Sequence, residues 1–283
     1  MSYTRKAFLK TMGISTGAIA IVPTILNATP ISSNTNEIKA KKLTIGLASY
    51  TLRKHTLDEV IAICNRLQIK NIALKSMHMP MDSSNEELKA IAKKINDAGI
   101  NLYGAGVIYM KTKEEVENAF RYAVAANLKV IIGVPNHDLL ELVDKKVKET
   151  NIKLAIHNHG PGDEVYPTPE SVYEKVKHLD KRIGLCIDIG HVKRLGLDPS
   201  ENLIKYADRL YDMHLKDVDK IGAEGKSVEL GRGIINIPKV IKTLNDINYA
   251  GIMGLEYEKD PDDVIPGLSE CLGYTNAMLD IIK

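Results

Sequence analysis

Histidines and carboxylates recur at matching places in the second half of this sequence. His157 and His159 close one short apolar run, Asp188 closes a second, His214 a third, and Glu256 and Glu258 a fourth. Imidazoles and carboxylates from four separate segments make a mixed nitrogen–oxygen donor set. Such a set suits Mn²⁺, Zn²⁺, Co²⁺ or Fe²⁺ better than Ca²⁺, which prefers all-oxygen shells. His157, Asp188, His214 and Glu256 therefore read as the ligands of one divalent metal ion. The bland alternative is an internal salt-bridge network, because buried charges need partners of some kind.

Elements of regular spacing must deliver these groups to one place. Short apolar runs begin near Leu43, Asn71, Ile100, Lys129, Ile152, Arg182, Leu210 and Ala250. Most of these starts lie about 23–30 residues apart, the length a strand plus its crossover helix requires. Thr56-Leu57-Asp58-Glu59, Ser84-Asn85-Glu86-Glu87 and Thr112-Lys113-Glu114-Glu115 are helix starts with acids in the first turn, and Gly99 stands where a helix should stop. Asp138–Thr150, Thr168–Leu179, Pro199–Arg209 and Ile237–Ile247 supply four further helical stretches. Eight such units predict an α/β fold, a single-domain (β/α)8 TIM barrel over residues 43–283. No Gly-x-Gly-x-x-Gly follows the first strand, which argues against a dinucleotide-binding sheet.

Alternation within the strands assigns the faces. Ala155, His157 and His159 oppose Leu154 and Ile156; Cys186, Asp188 and Gly190 oppose Leu185, Ile187 and Ile189. Asp212, His214 and Lys216 oppose Tyr211, Met213 and Leu215, while Gly254, Glu256 and Glu258 oppose Leu255 and Tyr257. In each strand the polar, ionisable side is the one expected to face the barrel. In strand 2, Ala73-Leu74-Lys75-Ser76-Met77-His78 puts Lys75 on the inner side and His78 at the strand end.

Composition narrows the function classes. Of 283 residues, 44% are hydrophobic and 26% charged, enough for a substantial core and too ordered a mixture for a disordered chain. The formal charge is +2, but residues 1–28 hold Arg5, Lys6 and Lys10 and no acid, so the remaining 35 basic and 36 acidic side chains leave the body at −1. A near-neutral body excludes nucleic-acid binding by bulk charge. No apolar run reaches the ~18 residues of a membrane span. Three cysteines (Cys64, Cys186, Cys271) are too few for a disulfide framework and read as buried thiols. Met1–Lys10 is cationic, Gly13–Pro23 is apolar and Asn27–Thr29 is a small-residue break, the order of a bacterial export signal. Thr4–Lys10 resembles the twin-arginine pattern, with Lys6 in place of the second arginine. Residues 1–28 are thus expected to direct the protein to the periplasm, with residues 29–42 as a polar linker and no stable membrane insertion after cleavage.

The four motifs, His157-Asn158-His159-Gly160, Asp188-Ile189-Gly190-His191, His214-Leu215-Lys216-Asp217 and Gly254-Leu255-Glu256, together resemble the xylose-isomerase-like TIM-barrel superfamily. The resemblance covers most of residues 43–283 and implies a metal-dependent enzyme acting on a small carbohydrate. It places Asp188, His214 and Glu256 at metal-ligand positions and His191 at a substrate-contacting one. Ketose epimerases of this superfamily carry Glu where this chain has His157, and a metal-bound imidazole cannot serve as their second base. The inosose dehydratase branch, with a His-rich strand 5, is similar to this chain there. Exported Bacteroidetes-type relatives look similar at Lys75 and His78, and some of them act on 3-keto-glycosides as lyases or hydratases. The endonuclease branch needs further histidines after strand 7, where this chain has Val218-Asp219-Lys220.

The resemblance implies a divalent-metal-dependent sugar isomerase/epimerase-type enzyme that works through a metal-stabilised enediolate. The alternatives are a lyase, hydratase or inosose-type dehydratase and, from another class, a non-catalytic carbohydrate-binding barrel. Catalytic candidates are Glu256, Lys75, His191 and Glu258, the last either a general base or a solvated strand-end carboxylate. Lys75 is either an acid for the substrate oxygens or a salt-bridge partner of Glu258 or Asp212. Substrate-binding candidates are His78, Asn158, His159 and Lys216, where Asn158 alternatively caps its loop and Lys216 alternatively pairs with Asp188 or Glu256. Gly231-Arg232-Gly233 is either a loop that closes on a ligand or a plain turn.

Overall fold

The structure is a computed structural model in which residues 43–282 are described; the export-signal and linker readings for residues 1–42 lie outside them. Eight parallel strands close into a barrel: β1 (Thr44–Ala48), β2 (Asn71–Leu74), β3 (Asn101–Met110), β4 (Val130–Pro135), β5 (Lys153–His157), β6 (Ile183–Asp188), β7 (Leu210–Leu215) and, after a short antiparallel ribbon of β8 (Asp217–Val218) and β9 (Ser227–Val228), β10 (Ile252–Leu255). Each β-run predicted from the sequence is one barrel strand. Around them lie α1 (Leu57–Arg66), α2 (Asn85–Asp97), α3 (Lys113–Ala125), α4 (Leu140–Thr150), α5 (Pro169–Val176), the short α6 (Ile189–Arg194) and α7 (Pro199–Lys205), then α8 (Ile237–Asp246) and α9 (Val264–Ile281). Among the described residues no helix is long and apolar enough to cross a membrane.

The helix starts follow from local chemistry. Thr56, Ser84 and Thr112 each cap a helix through the side chain while Glu59, Glu87 and Glu115 reach back to the cap, so two otherwise orphaned N–H groups are satisfied at each start. Helices end on left-handed residues that turn the chain into the next strand, Asn127 and Asn151 among them. Strand faces that point outward (Leu154, Ile156, Leu185, Ile187, Met213, Leu215) join the helices in one large apolar core. The lower barrel interior is a second, small cluster built from Ala73, Tyr103, Val130, Ile132, Ala155 and Cys186.

Register positions the polar residues above that cluster. Leu185 pairs with Leu210, yet Cys186 pairs with Asp212 and Asp188 with His214, so β7 carries one extra residue, Tyr211, in a bulge. The extra residue brings Asp212 and His214 onto the inner face beside Cys186 and Asp188; unbroken pairing would set Met213 beside Asp188 instead. His214 in turn is level with Gly254 of β10. Gly184 lies against the bulge, where a Cβ would stand 2.1 Å from the Arg209 carbonyl oxygen and 2.6 Å from the Tyr211 ring.

Gly184→Ala must therefore push β7 away from β6. We expect a loss of about 1–3 kcal/mol in a denaturant melt, and weaker retention of any ligand that depends on His214. Unchanged stability would show that the bulge does not need the missing side chain.

Candidate active site

The C-terminal ends of β5, β6, β7 and β10 bring His157, Asp188, His214 and Glu256 together, with one ligand-type atom from each all within 4.8 Å of one another. His157 Nε2 lies 3.0 Å from His214 Nδ1 and 3.6 Å from Asp188 Oδ2. His214 Nδ1 is 3.1 Å from Glu256 Oε2 and 3.8 Å from Asp188 Oδ2. All four residues are buried. His157 Nδ1 and His214 Nε2 have no hydrogen-bond partner, which is rare for buried polar atoms, and Asp188 Oδ2 has ion-pair contacts alone.

Asp188 divides its labour between its two oxygens. Oδ1 caps α6 by accepting the His191 N–H at 2.8 Å, leaving Oδ2 directed at the cluster. Asn158 brackets the same residue: its Oδ1 accepts the Asp188 N–H at 3.1 Å and its Nδ2 donates to the Asp188 carbonyl at 3.4 Å. Asn158 is thus a buried support for Asp188, not the substrate donor that the sequence suggested.

Lys216 supplies the compensating charge. Its ammonium stands 3.1 Å from Asp188 Oδ2, 2.7 Å from Glu256 Oε2 and in contact with Glu258 Oε1. Both of its expected roles narrow to one: it pairs inside the barrel, and Glu258 is correspondingly no free carboxylate. Against the cost of burial, His191 and Lys216 hold the Asp188 carboxyl well below its usual range, and His214 and Lys216 do the same for Glu256. Burial keeps His157 neutral, whereas Glu256 and Cys186 outweigh burial at His214 and raise it well above an ordinary imidazole. Asp188, Glu256 and Glu258 carry three negative charges against one ammonium, and His214 takes up a proton in answer. A divalent cation among His157 Nε2, Asp188 Oδ2, His214 Nδ1 and Glu256 Oε2 would offset this surplus of negative charge, so the donor set fits one.

Above the cluster opens a cavity of about 380 Å³. Lys75, His159, His191 and Glu258 line it as expected, together with Tyr50, Val107 and Tyr109, which the sequence analysis did not single out. Lys75 pairs with neither Glu258 nor Asp212; its ammonium donates to the Val107 carbonyl and lies 5.6 Å from the Tyr109 ring centre. Burial lowers its pKa, with Glu256 opposing. His159 Nε2 meets the Tyr109 hydroxyl at 3.0 Å and its Nδ1 lies 3.4 Å from Asp163. Burial lowers His191 to about 4. Arg194 Nη1 lies 3.2 Å from His191 Nδ1. A guanidinium can only donate, so Nδ1 accepts and the ring proton sits on Nε2, which faces Asp188 at 3.8 Å. One signal could have found Tyr109: the apolar run from Ile100 to Met110 is long for one strand, and β3 extends with it.

Other residues fall elsewhere. The chain turns directly after β2, and His78 swings back under the β1 rim, buried away from the cavity. Its Nδ1 meets Ser49 Oγ at 2.9 Å and its Nε2 meets the carbonyls of Leu52 at 3.2 Å and His55 at 3.1 Å. It is a structural tie rather than a pocket group. Gly231–Gly233 form a turn around Asp217, whose carboxylate accepts the N–H groups of Gly231, Gly233 and Ile235. Cys64, Cys186 and Cys271 are buried free thiols, and burial pushes Cys186 up to about 12, as expected for a group without nucleophilic duty.

His78→Ala should cost about 1–3 kcal/mol of stability through its abandoned partners, read as a lower Tm, while leaving metal uptake unchanged. A titration of the chain with Mn²⁺ or Zn²⁺ should saturate at roughly one ion per chain and fail in His214→Ala. The His214 proton must leave for the ion to bind, so affinity should go on rising with pH above the ordinary imidazole value of 6.5; an opposite slope would contradict the ligand assignment.

Comparison with known proteins agrees with this geometry. Residues 72–273 match the family described as the xylose isomerase-like TIM barrel. The chain is 27% identical over 147 residues to the rhizopine catabolism protein MocC of Rhizobium meliloti, covering 47% of this chain and 45% of that one. It is 32% identical over 130 residues to inosose dehydratase of Clostridium perfringens, covering 40% of this chain and 43% of the enzyme. The matches thus span less than half of these curated relatives. The fold is also similar to that of the IolI protein with a binding zinc atom, at a TM-score of 0.71 and 16% identity over 85% of this chain and 99% of that one. A closed eight-stranded parallel barrel, together with a family match over most of the chain, identifies this protein as a member of the xylose isomerase-like TIM barrel family.

Proposed function

We propose that the protein is a divalent-metal-dependent enzyme of the sugar isomerase/epimerase type, acting on a keto-sugar or related polyol, and that residues 1–28 export it to the periplasm. The observation that carries the enzymatic reading is the convergence of His157, Asp188, His214 and Glu256 at the floor of a cavity walled by Lys75, His159 and His191. A divalent ion held by those four side chains would supply Lewis-acid polarisation of a carbonyl and its neighbouring hydroxyl.

The remaining work falls to the chain's own groups. The contacts of Glu256 with His214 and Lys216 both fall on Oε2, which leaves Oε1 to accept a proton from the carbon beside the carbonyl. His191, neutral with its proton on Nε2, and the Lys75 ammonium donate to the substrate oxygens. Lys216 keeps Glu256 ionised for that task.

A second reading, dehydration after the same proton removal, is favoured by one residue. His157 stands where a symmetrical epimerase needs a second carboxylate, and the inosose dehydratases among the relatives lend the same reading support. A carbohydrate-binding barrel without turnover is the third outcome. The test is to incubate the Mn²⁺-loaded protein with keto-sugars and inosose in D₂O and follow the C–H signals by NMR. Exchange that Glu256→Gln lowers by at least about 10²-fold supports proton abstraction by Glu256. A product with altered stereochemistry or carbonyl position marks an isomerase/epimerase, and loss of water marks a dehydratase. Binding without exchange would leave only the non-catalytic barrel.

A further inference from the structure

Beside the candidate active site lies a second cavity, of about 350 Å³, and the two share His191, Lys216 and Glu258 as a common wall. The far side of the second cavity is basic, formed by Arg194, Lys226 and Lys259. Arg194 is half-buried and fixed: Nε donates to the Gly222 carbonyl at 3.3 Å, Nη2 to the Ala223 carbonyl, and Nη1 to His191 Nδ1 at 3.2 Å. Each of these acceptors is neutral. Among the described residues Arg194 forms no ion pair with a carboxylate, and neither does Lys226, whose side chain is exposed to the cavity mouth; Lys259 has Glu229 at 2.9 Å.

The charge balance of the two chambers therefore differs in sign. On the shared wall Lys216 is spent on Asp188, Glu256 and Glu258, leaving the metal-type chamber negative. Behind the wall two cations, Arg194 and Lys226, have no ion-pair partner among the described residues, although the Asp219 carboxylate accepts the Lys226 backbone N–H at 2.7 Å. A guanidinium held by neutral carbonyls is preoriented yet uncompensated, the state in which it binds carboxylate or phosphate oxygens in bidentate fashion. The chambers are also close, since the His191 ring alone bridges Asp188 Oδ2 at 3.8 Å and Arg194 Nη1 at 3.2 Å. One small molecule can reach both.

We infer that the second chamber takes an anionic substituent of the substrate, a carboxylate or phosphate, while the carbonyl end of the same molecule faces His157, Asp188, His214 and Glu256. The substrate class is then an acidic sugar derivative. This rests on the function proposed above, so the test must let the two fail separately.

Binding of D-fructose, 5-keto-D-gluconate and D-fructose 6-phosphate to the Mn²⁺-loaded full chain would be measured by calorimetry at constant ionic strength. We expect one acid to bind at least about tenfold more tightly than fructose, with the margin shrinking as salt is raised. The keto-gluconate arm reports a carboxylate and the phosphate-ester arm a phosphate. Lys226→Glu should remove most of that margin while fructose affinity stays within about twofold. Arg194→Gln should remove it as well. Equal affinities for all three ligands would overturn the anionic subsite and leave the metal-dependent reading intact. A preference that survives both substitutions would mean that the acid binds at the metal ion alone, and would also overturn it. No binding of any of the three would overturn both.

Discussion

Carboxylates cannot be gathered at the mouth of a barrel without positive charge among them, and that requirement organises everything around Asp188, Glu256 and Glu258. Desolvation works against each of them, and in a low-dielectric interior the charges cannot be diluted by water. Lys216 stands between all three, His214 draws a proton towards Glu256, and a surplus of negative charge still remains. Removing one partner from such a cluster is costly because it strands the others. The arrangement accepts a cation more readily than it accepts the loss of any member.

Support for the cluster is backbone-deep rather than a matter of side-chain contact alone. Asn158 grips the Asp188 peptide on both sides, and the first turn of α6 occupies the other carboxylate oxygen. Arg194 holds His191 in one tautomer by an argument of donors and acceptors only. Arg53 donates to the Glu258 carbonyl at 2.7 Å and fixes the end of the last strand. Two of these restraints, Asn158 on Asp188 and Arg53 on Glu258, join residues from different βα units, so the site stays preorganised only while the barrel is closed.

Much of this was legible in the sequence, for physical reasons that can be named. Strand starts were visible because buried parallel strands read as apolar runs, and helix starts because Thr56, Ser84 and Thr112 each stand three residues before Glu. The inward faces of β5, β6, β7 and β10 followed from alternation, which brought the four candidate ligands to one level. What lay beyond reach was pairing across the rim. Glu258 meets Lys216 from 42 residues away, and His78 meets Ser49 from 29 away. Nothing local in the sequence encodes those meetings. Past a strand's last residue the alternation rule no longer applies, which is why His78 and Asn158 turned out to be structural supports. Tyr109 escaped for a related reason: it rides on the portion of β3 that runs past the end of β2 and pairs with β4 alone.

The bulge at Tyr211 gives the site an unequal tolerance to different kinds of genetic change. Exchanging one side chain for another around the mouth leaves the phase of β7 alone, and the site can absorb the result locally. Inserting a single residue between Asp212 and Met213 instead slips the rest of β7 by one place against β6, turning Met213 inward and His214 out among the helices, whereas losing Tyr211 itself would only flatten the bulge. The stretch of β7 beyond the bulge thus acts as a frame in the backbone itself: chemistry at the mouth is free to drift by substitution, but not by an added residue.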